Sequence, residues 1–359
     1  MTGKIHPEFR FNGLSCDRDA LFEIGYSYIK EGEPYLRPIG DFLLDWLSDD
    51  PAIVVRTSGS TGPPKNITLT KKAMSSSAIA TAEFLGLGSG CKSLLCLSAM
   101  HIAGKMMLVR ALVLGWHLEL VSPSSNPLLE AHGQYDFCAM VPLQLRNSLP
   151  YLDRIKTLVV GGAPIPGKDI NSLHNVETRI YESYGMTETA SHIALKYING
   201  PAAGENARVP FKKLSGVLLS QNNKDCLVIE LPWDPMQTII TNDIVELIDS
   251  DHFHWLGRAD NVINSGGVKF FPEAIEEKLS GLINQRFIIL GLPDEVLGQR
   301  LVLLIEGPED GLEIMNIIRK QTFLSPYEIP KEILNLVKFP ETENGKINRT
   351  EIQKWAEDL

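Results

Sequence analysis

Thr57-Ser58-Gly59-Ser60-Thr61-Gly62-Pro63-Pro64-Lys65 packs four hydroxyls, two glycines and a lysine into nine residues. The apolar run before it, Ala52-Ile53-Val54-Val55, reads as a strand. Asn66-Ile67-Thr68-Leu69-Thr70 after it alternates apolar with polar and reads as a second strand. Glycines free backbone N–H groups to turn outward, small hydroxyls add donors, and Lys65 brings a mobile positive charge, so the loop can wrap a polyphosphate. The GxxxxGK[ST] spacing of a Walker loop is absent, and a strand follows where that loop would open a helix. A solvated turn draws on the same residue types, so the rest of the chain has to decide.

Working outward, Thr70 stands where a cap should and Lys71 to Leu85 reads as a helix. On the amino-terminal side, Asp19 and Asp41 are candidate caps of two short helices, the first burying Leu21, Phe22 and Tyr26. From Ser93 to Ser183, strand candidates at 93–97, 118–121, 137–141, 157–160 and 178–182 alternate with helical patterns at 103–114, 142–149 and 166–173. That alternation predicts a mostly parallel sheet with helices on its faces, and hence ligands beyond the carboxyl ends of the strands. Two turns lie there: Gly161-Gly162-Ala163-Pro164, and Tyr184-Gly185-Met186-Thr187-Glu188-Thr189. The first lets a flat group approach the backbone. The second delivers an aromatic ring, a hydroxyl and a carboxylate together, and Glu188 is an oxygen ligand of the kind Mg²⁺ prefers.

Residues 192–255 hold short alternating strands that predict a small β-subdomain, within which Thr241-Asn242-Asp243 presents a carboxylate suited to two vicinal ribose hydroxyls. The expected division is a large α/β domain over 1–257, a hinge at 258–260, and a small mobile α+β domain over 261–359. The small domain carries a Ser265-Gly266-Gly267 turn, a helix from Pro272 to Leu279, and a tail turn Glu343-Asn344-Gly345-Lys346.

The chain has 359 residues, 44% hydrophobic and 22% charged, with a formal net charge of −10. An acidic chain of this kind is no general nucleic-acid binder. Its five cysteines form no CxxC pair or metal spacing, as expected of thiols in a reducing cytoplasm. The longest apolar stretch, Met106 to Trp116, is interrupted by Arg110 and is too short to span a bilayer. Nothing at the start resembles a signal peptide. Oligomeric state is not legible.

The loop at 57–65, the GGAP and YGMTE turns, Thr241-Asn242-Asp243, Gly257-Arg258-Ala259-Asp260-Asn261, the SGG turn and the Gly345-Lys346 pair occur in one order from about Val54 to Arg349. In number and order they resemble the adenylate-forming superfamily of acyl-CoA synthetases, carrier-loading adenylation domains and luciferases. The resemblance implies that Thr57, Ser58, Gly59, Ser60, Thr61, Gly62 and Lys65 hold the β- and γ-phosphates of ATP. Gly161, Gly162 and Ala163, with Tyr184 and Gly185, would frame the adenine. Thr187 would meet the α-phosphate, Glu188 would bind Mg²⁺, and Asp243 and Arg258 would take the ribose. Asp260 matches the hinge, and Lys346 would reach the α-phosphate and the acyl carboxylate during adenylation. Gly266 and Gly267 would then line the tunnel for the pantetheine arm of coenzyme A, and His101 would sit near the acyl pocket.

Two departures stand out. Relatives carry a larger region before the loop, so parts of the acyl pocket are expected to be rebuilt or supplied by a partner chain. The usual Thr-Gly-Asp reads Thr241-Asn242-Asp243. Compact members with a Met100-His101-Ile102-Ala103-Gly104 segment are similar to o-succinylbenzoate–CoA ligases of menaquinone biosynthesis, whose substrate carries a second carboxylate. Lys105 is the favoured cation for it; Arg110 reads more readily as a surface or structural charge. Another aryl- or acyl-CoA ligase, a carrier-loading enzyme, and a non-catalytic nucleotide-binding protein remain open alternatives.

Overall fold

A computed structural model of the chain describes residues 3–56, 65–200, 208–308, 311–341 and 347–358. The loop residues 57–64 and Lys346 lie outside the described residues.

A thirteen-stranded sheet runs through the first two-thirds of the chain. Its parallel half contains Lys92–Leu95, His117–Leu120, Tyr135–Met140, Ile155–Val160 and Arg179–Gly185. Both faces of this half are buried: Phe137 points into one core, and its neighbour Cys138 into another with Leu158 and Ile180. Continuous apolar strands are what such two-sided burial requires. The strands expected to form a β-subdomain are hydrogen-bonded into the same sheet as its antiparallel half, through His192–Tyr197 against Arg179–Gly185.

The Ile102–Leu114 helix is apolar almost all round and lies inside the larger core, with Met106, Met107, Leu108, Val109, Ala111 and Leu112 fully buried. Lys71–Leu85 packs beside it, capped as expected by the Thr70 hydroxyl, which accepts from Ala73 N at 3.0 Å. Two amino-terminal helices differ from expectation. Arg18–Lys30 is capped by Asp17, whose carboxylate accepts from Ala20 N at 2.9 Å, and Asp19 lies inside its first turn. Leu21 and Gly25 face the core, while Phe22 and Tyr26, one position round the helix, are half exposed. Arg37–Leu47 begins four residues ahead of Asp41, with Pro38 in its first turn.

Ala52–Arg56 and Asn66–Thr70 pair antiparallel, so the two strands flanking the loop form a hairpin of their own. The carboxyl-terminal residues build a second, smaller sheet around Phe287–Asp294 and Gly298–Glu306, with apolar cores on both faces. A last helix, Arg349–Glu357, closes one of these cores and was not anticipated from sequence. Among the described residues, no helix is long and apolar enough to cross a membrane. All five cysteines are buried and unpaired.

Candidate active site

Adjacent parallel strands bring two of the expected turns together. Val160 pairs with Glu182, so the turn at 161–164 and the one at 184–189 leave the same edge of the sheet side by side. The two turns approach closely at Gly161: a Cβ on it would stand 2.4 Å from the Ser183 hydroxyl, which would have to turn away. Thr187–Thr189 forms a single 3-10 turn that lies against the Asn66–Thr70 strand, the strand that follows the 57–64 loop in the chain. Ala190 ends this turn at φ +65°, a region a non-glycine residue seldom occupies, and such strain concentrates at functional sites.

Asp243 is the centre of the polar cluster. Its carboxylate is 6% exposed and accepts from the Tyr184 hydroxyl at 2.7 Å, Trp255 Nε1 at 3.2 Å and Arg258 Nη1 at 3.4 Å. Burial, then the Asp243 charge, raises the Tyr184 phenol well above its ordinary range, so it stays protonated and donates. The Tyr184 ring packs edge-on against Phe253. Asn242, the middle residue of Thr241-Asn242-Asp243, donates to the exposed carboxylate of Asp260.

His101 is the exposed residue immediately before the Ile102–Leu114 helix. Lys105, one turn on, is engaged elsewhere: its ammonium lies 5.4 Å from the centroid of Phe42, on the Arg37–Leu47 helix. The cation of this helix that meets the 184–192 segment is Arg110. Its Nη2 donates to the Ser191 hydroxyl at 2.7 Å, and its Nε is buried with no partner among the described residues. Arg110 is 3% exposed, and burial pulls its guanidinium down to about 10. It is therefore no surface charge: of the surface or structural cation expected from sequence, the surface half is ruled out. Beyond Ser191 the chain of hydrogen bonds runs to His192 Nδ1 at 3.3 Å, and from His192 Nε2 to the Thr81 hydroxyl at 3.2 Å. Thr81 itself donates to the Ser77 carbonyl, so its oxygen accepts from His192 and the imidazole is the Nε2–H tautomer. Burial first, and Arg110 second, hold that imidazole well below its usual range, hence neutral.

Three comparisons bear on this arrangement. Residues 41–216 match the AMP-binding enzyme family. A probable 2-succinylbenzoate–CoA ligase of Mycobacterium tuberculosis is 30% identical over 327 residues, 84% of each chain. The chain belongs to the AMP-binding enzyme family. An acyl-CoA synthetase (AMP-forming)/AMP-acid ligase II-like protein from Dyadobacter fermentans is 38% identical, with a TM-score of 0.62 over 92% of this chain and 97% of that one. The o-succinylbenzoate CoA synthetase of Bacillus subtilis, solved with its acyl-adenylate intermediate, is 21% identical over 88% of this chain and 73% of that one. Its TM-score of 0.73 shows a shared fold.

For an AMP-binding enzyme, several important contacts escaped the sequence. Glu182 is 5% exposed, accepts from Ile165 N at 3.0 Å just after the 161–164 turn, and pairs with Lys196 at 2.5 Å. Burial alone would lower the Lys196 ammonium, but Glu182 and Glu277 raise it on balance. Glu277, on the Pro272–Leu279 helix of the smaller unit, also takes Arg208 at 2.8 Å. A ladder of charges thus joins the 161–164 turn to the smaller unit. The Gly266-Gly267 turn between Ile263–Ser265 and Val268–Phe270 is exposed, and nothing lies within 4 Å of where a Cβ on Gly267 would stand.

Proposed function

We propose that this AMP-binding enzyme is an ATP-dependent acid–CoA ligase acting on 2-succinylbenzoate or a closely similar aromatic dicarboxylate. A carboxylate oxygen of the acid attacks the α-phosphorus of ATP; the bond to the bridging oxygen breaks, giving acyl-AMP and pyrophosphate. The sulfur of coenzyme A, losing its proton, then attacks the acyl carbon, and AMP leaves with the bonding pair. No protein nucleophile is needed, so the residues work by position and charge.

In this reading Asp243 and Arg258 hold the ribose, and the 161–164 and 184–189 turns hold the adenine and α-phosphate. The 57–62 loop and Lys65 grip the outer phosphates. Glu188 fits a Mg²⁺ site. It is half-buried on a short turn packed against the Asn66–Thr70 strand, and this cation commonly takes one or two carboxylates together with substrate phosphates. When bound, that ion supplies charge neutralisation at the phosphoryl oxygens. Asp260 serves as the hinge about which the 261–359 domain turns between the two steps, bringing first Lys346 and then the Gly266-Gly267 turn to the reacting atoms.

The observation that carries the choice of acid is Arg110. A guanidinium held out of water with no carboxylate among the described residues is costly unless an anion completes it. It meets the 184–191 segment at Ser191, and a second substrate carboxylate that reached it there would supply the missing charge. The test feeds purified protein ATP, coenzyme A and a panel of acids, measuring pyrophosphate and thioester separately. 2-Succinylbenzoate is expected to be preferred over monocarboxylic acids; equal turnover of acetate or long fatty acids would remove the substrate assignment.

A further inference from the structure

Trp255 reaches the ribose-side carboxylate only because its strand is irregular. Along His252–Arg258, Arg258 pairs with Asp243 and Gly257 with Ile244, but the next pair is Trp255 with Val245, leaving Leu256 without a counterpart. In an unbroken strand residues 255 and 258 point to opposite faces. The extra residue is a β-bulge, which re-aims the side chain beyond it, and here it turns Trp255 to the face of Asp243 and Arg258. Gly257 makes the bulge possible: its φ is +148°, and a Cβ would stand 2.3 Å from Glu273 Oε2. The Trp255 carbonyl is also fixed, accepting from Arg208 at 2.7 Å.

Torsion about the bond carrying a carboxylate is broad, so the plane of Asp243 is set by what donates to it. The Tyr184 hydroxyl takes Oδ2 at 2.7 Å, while Trp255 Nε1 at 3.2 Å and Arg258 Nη1 at 3.4 Å share Oδ1. Remove the Trp255 donor and Oδ1 keeps only the longer bond to Arg258, so the carboxylate can pivot about the Tyr184 hydrogen bond. From this clamp we infer that Trp255 is a positioning residue for nucleotide recognition, acting through Asp243 to aim the carboxylate at the ribose hydroxyls. This rests on the reading of Asp243 as the ribose anchor.

The test replaces Trp255 with β-(3-benzothienyl)alanine, which keeps the bicyclic shape but exchanges N–H for sulfur, and separately makes Trp255→Phe. ATP, 2′-deoxy-ATP and 3′-deoxy-ATP are compared by pyrophosphate release. Loss of one donor to a charged group predicts a rise in KM for ATP of about 10-fold, with the preference for ATP over the deoxy nucleotides shrinking by a similar factor. The KM for the acid, kcat and melting temperature stay at wild-type values in the benzothienyl protein. If that protein keeps the wild-type preference, Trp255 merely fills space and the inference is overturned. Asp243→Asn separates the two readings. If it also leaves ribose preference intact, the anchor assignment falls and takes this inference with it. If it abolishes the preference while the benzothienyl protein does not, only the role of Trp255 falls.

Discussion

The guanidinium of Arg110 donates to the hydroxyl of Ser191 at 2.7 Å, and among the described residues it forms no ion pair. Stability and function therefore pull in opposite directions at this position. Arg110→Met fills similar volume without a buried charge, and replacing buried ions by apolar groups is often neutral or stabilising. The variant is expected to melt at or above the wild-type temperature while its KM for the dicarboxylate rises about 10- to 100-fold, the worth of hydrogen bonds to a charged group. Calorimetry and steady-state kinetics on one preparation check both halves; a fall in melting temperature with unchanged KM would make Arg110 purely structural.

His192 gives the protein a specific acid limb. Its folded-state pKa is held well below the ordinary value of about 6.5. Between those two values the unfolded chain binds one more proton than the folded one. The contribution to stability is thus complete above about pH 6.5 and is lost as pH falls, at up to about 1.4 kcal/mol per pH unit. Urea unfolding at pH 7.5 and 5.5 should show a larger loss for the wild type than for His192→Gln, by about 1 kcal/mol. Other titrating groups act alike in both proteins, so an equal loss would mean that His192 protonates freely.

Glu277 is half exposed, and exposed ion pairs contribute about 1 kcal/mol or less, so Glu277→Gln should leave global stability nearly unchanged. Its partners Lys196 and Arg208 lie in or beside the large sheet, whereas Glu277 belongs to the smaller unit. The change is therefore expected in how the units hold together. Limited proteolysis at the 258–262 connection should speed up by about twofold or more, and raised salt should mimic the mutation in the wild type by screening. Unchanged cleavage in both experiments would show that the ladder does not secure the interface.

The sequence disclosed what depends on local pattern. Strands bounded by glycines, the Thr70 cap and the Pro272–Leu279 helix were legible because propensity and burial agree there. Asp17 displaced Asp19 as a cap because the register of a first turn depends on which face the helix must bury, and that is settled by its neighbours. Whether Arg110 was a surface or a structural charge was undecided for a similar reason: an arginine in an apolar run looks like an interruption until residues 106–113 of the helix are seen to be buried together. Trp255 could not have been found at all. Its contact with Asp243 depends on a bulge, and one extra residue reverses which face a side chain takes. The Glu182–Lys196–Glu277–Arg208 ladder joins residues scattered over the chain and left no mark in local spacing.

The segment just beyond Lys346 is anchored firmly, which constrains how that lysine can act. Ile347 bridges to Glu341, Asn348 N donates to Pro340 O at 2.9 Å, and the half-buried Arg349 pairs with Glu276 while donating to Ile289 O at 3.2 Å. With residues 347–349 so fixed, Lys346 is expected to move with the whole small unit, because a swing of the tail alone would break these bonds. Its loss and a frozen hinge should therefore injure opposite halves of the reaction. Lys346→Ala is expected to lower pyrophosphate release by about 100-fold or more, as removal of a transition-state donor does, while preformed acyl-AMP still becomes thioester. If Asp260 is the hinge, Asp260→Pro restrains the backbone there, so acyl-AMP should accumulate and thioester fail to appear. Rapid-quench measurement of each half-reaction decides the matter: equal loss of both steps in either variant would mean that the small unit does not exchange positions between them.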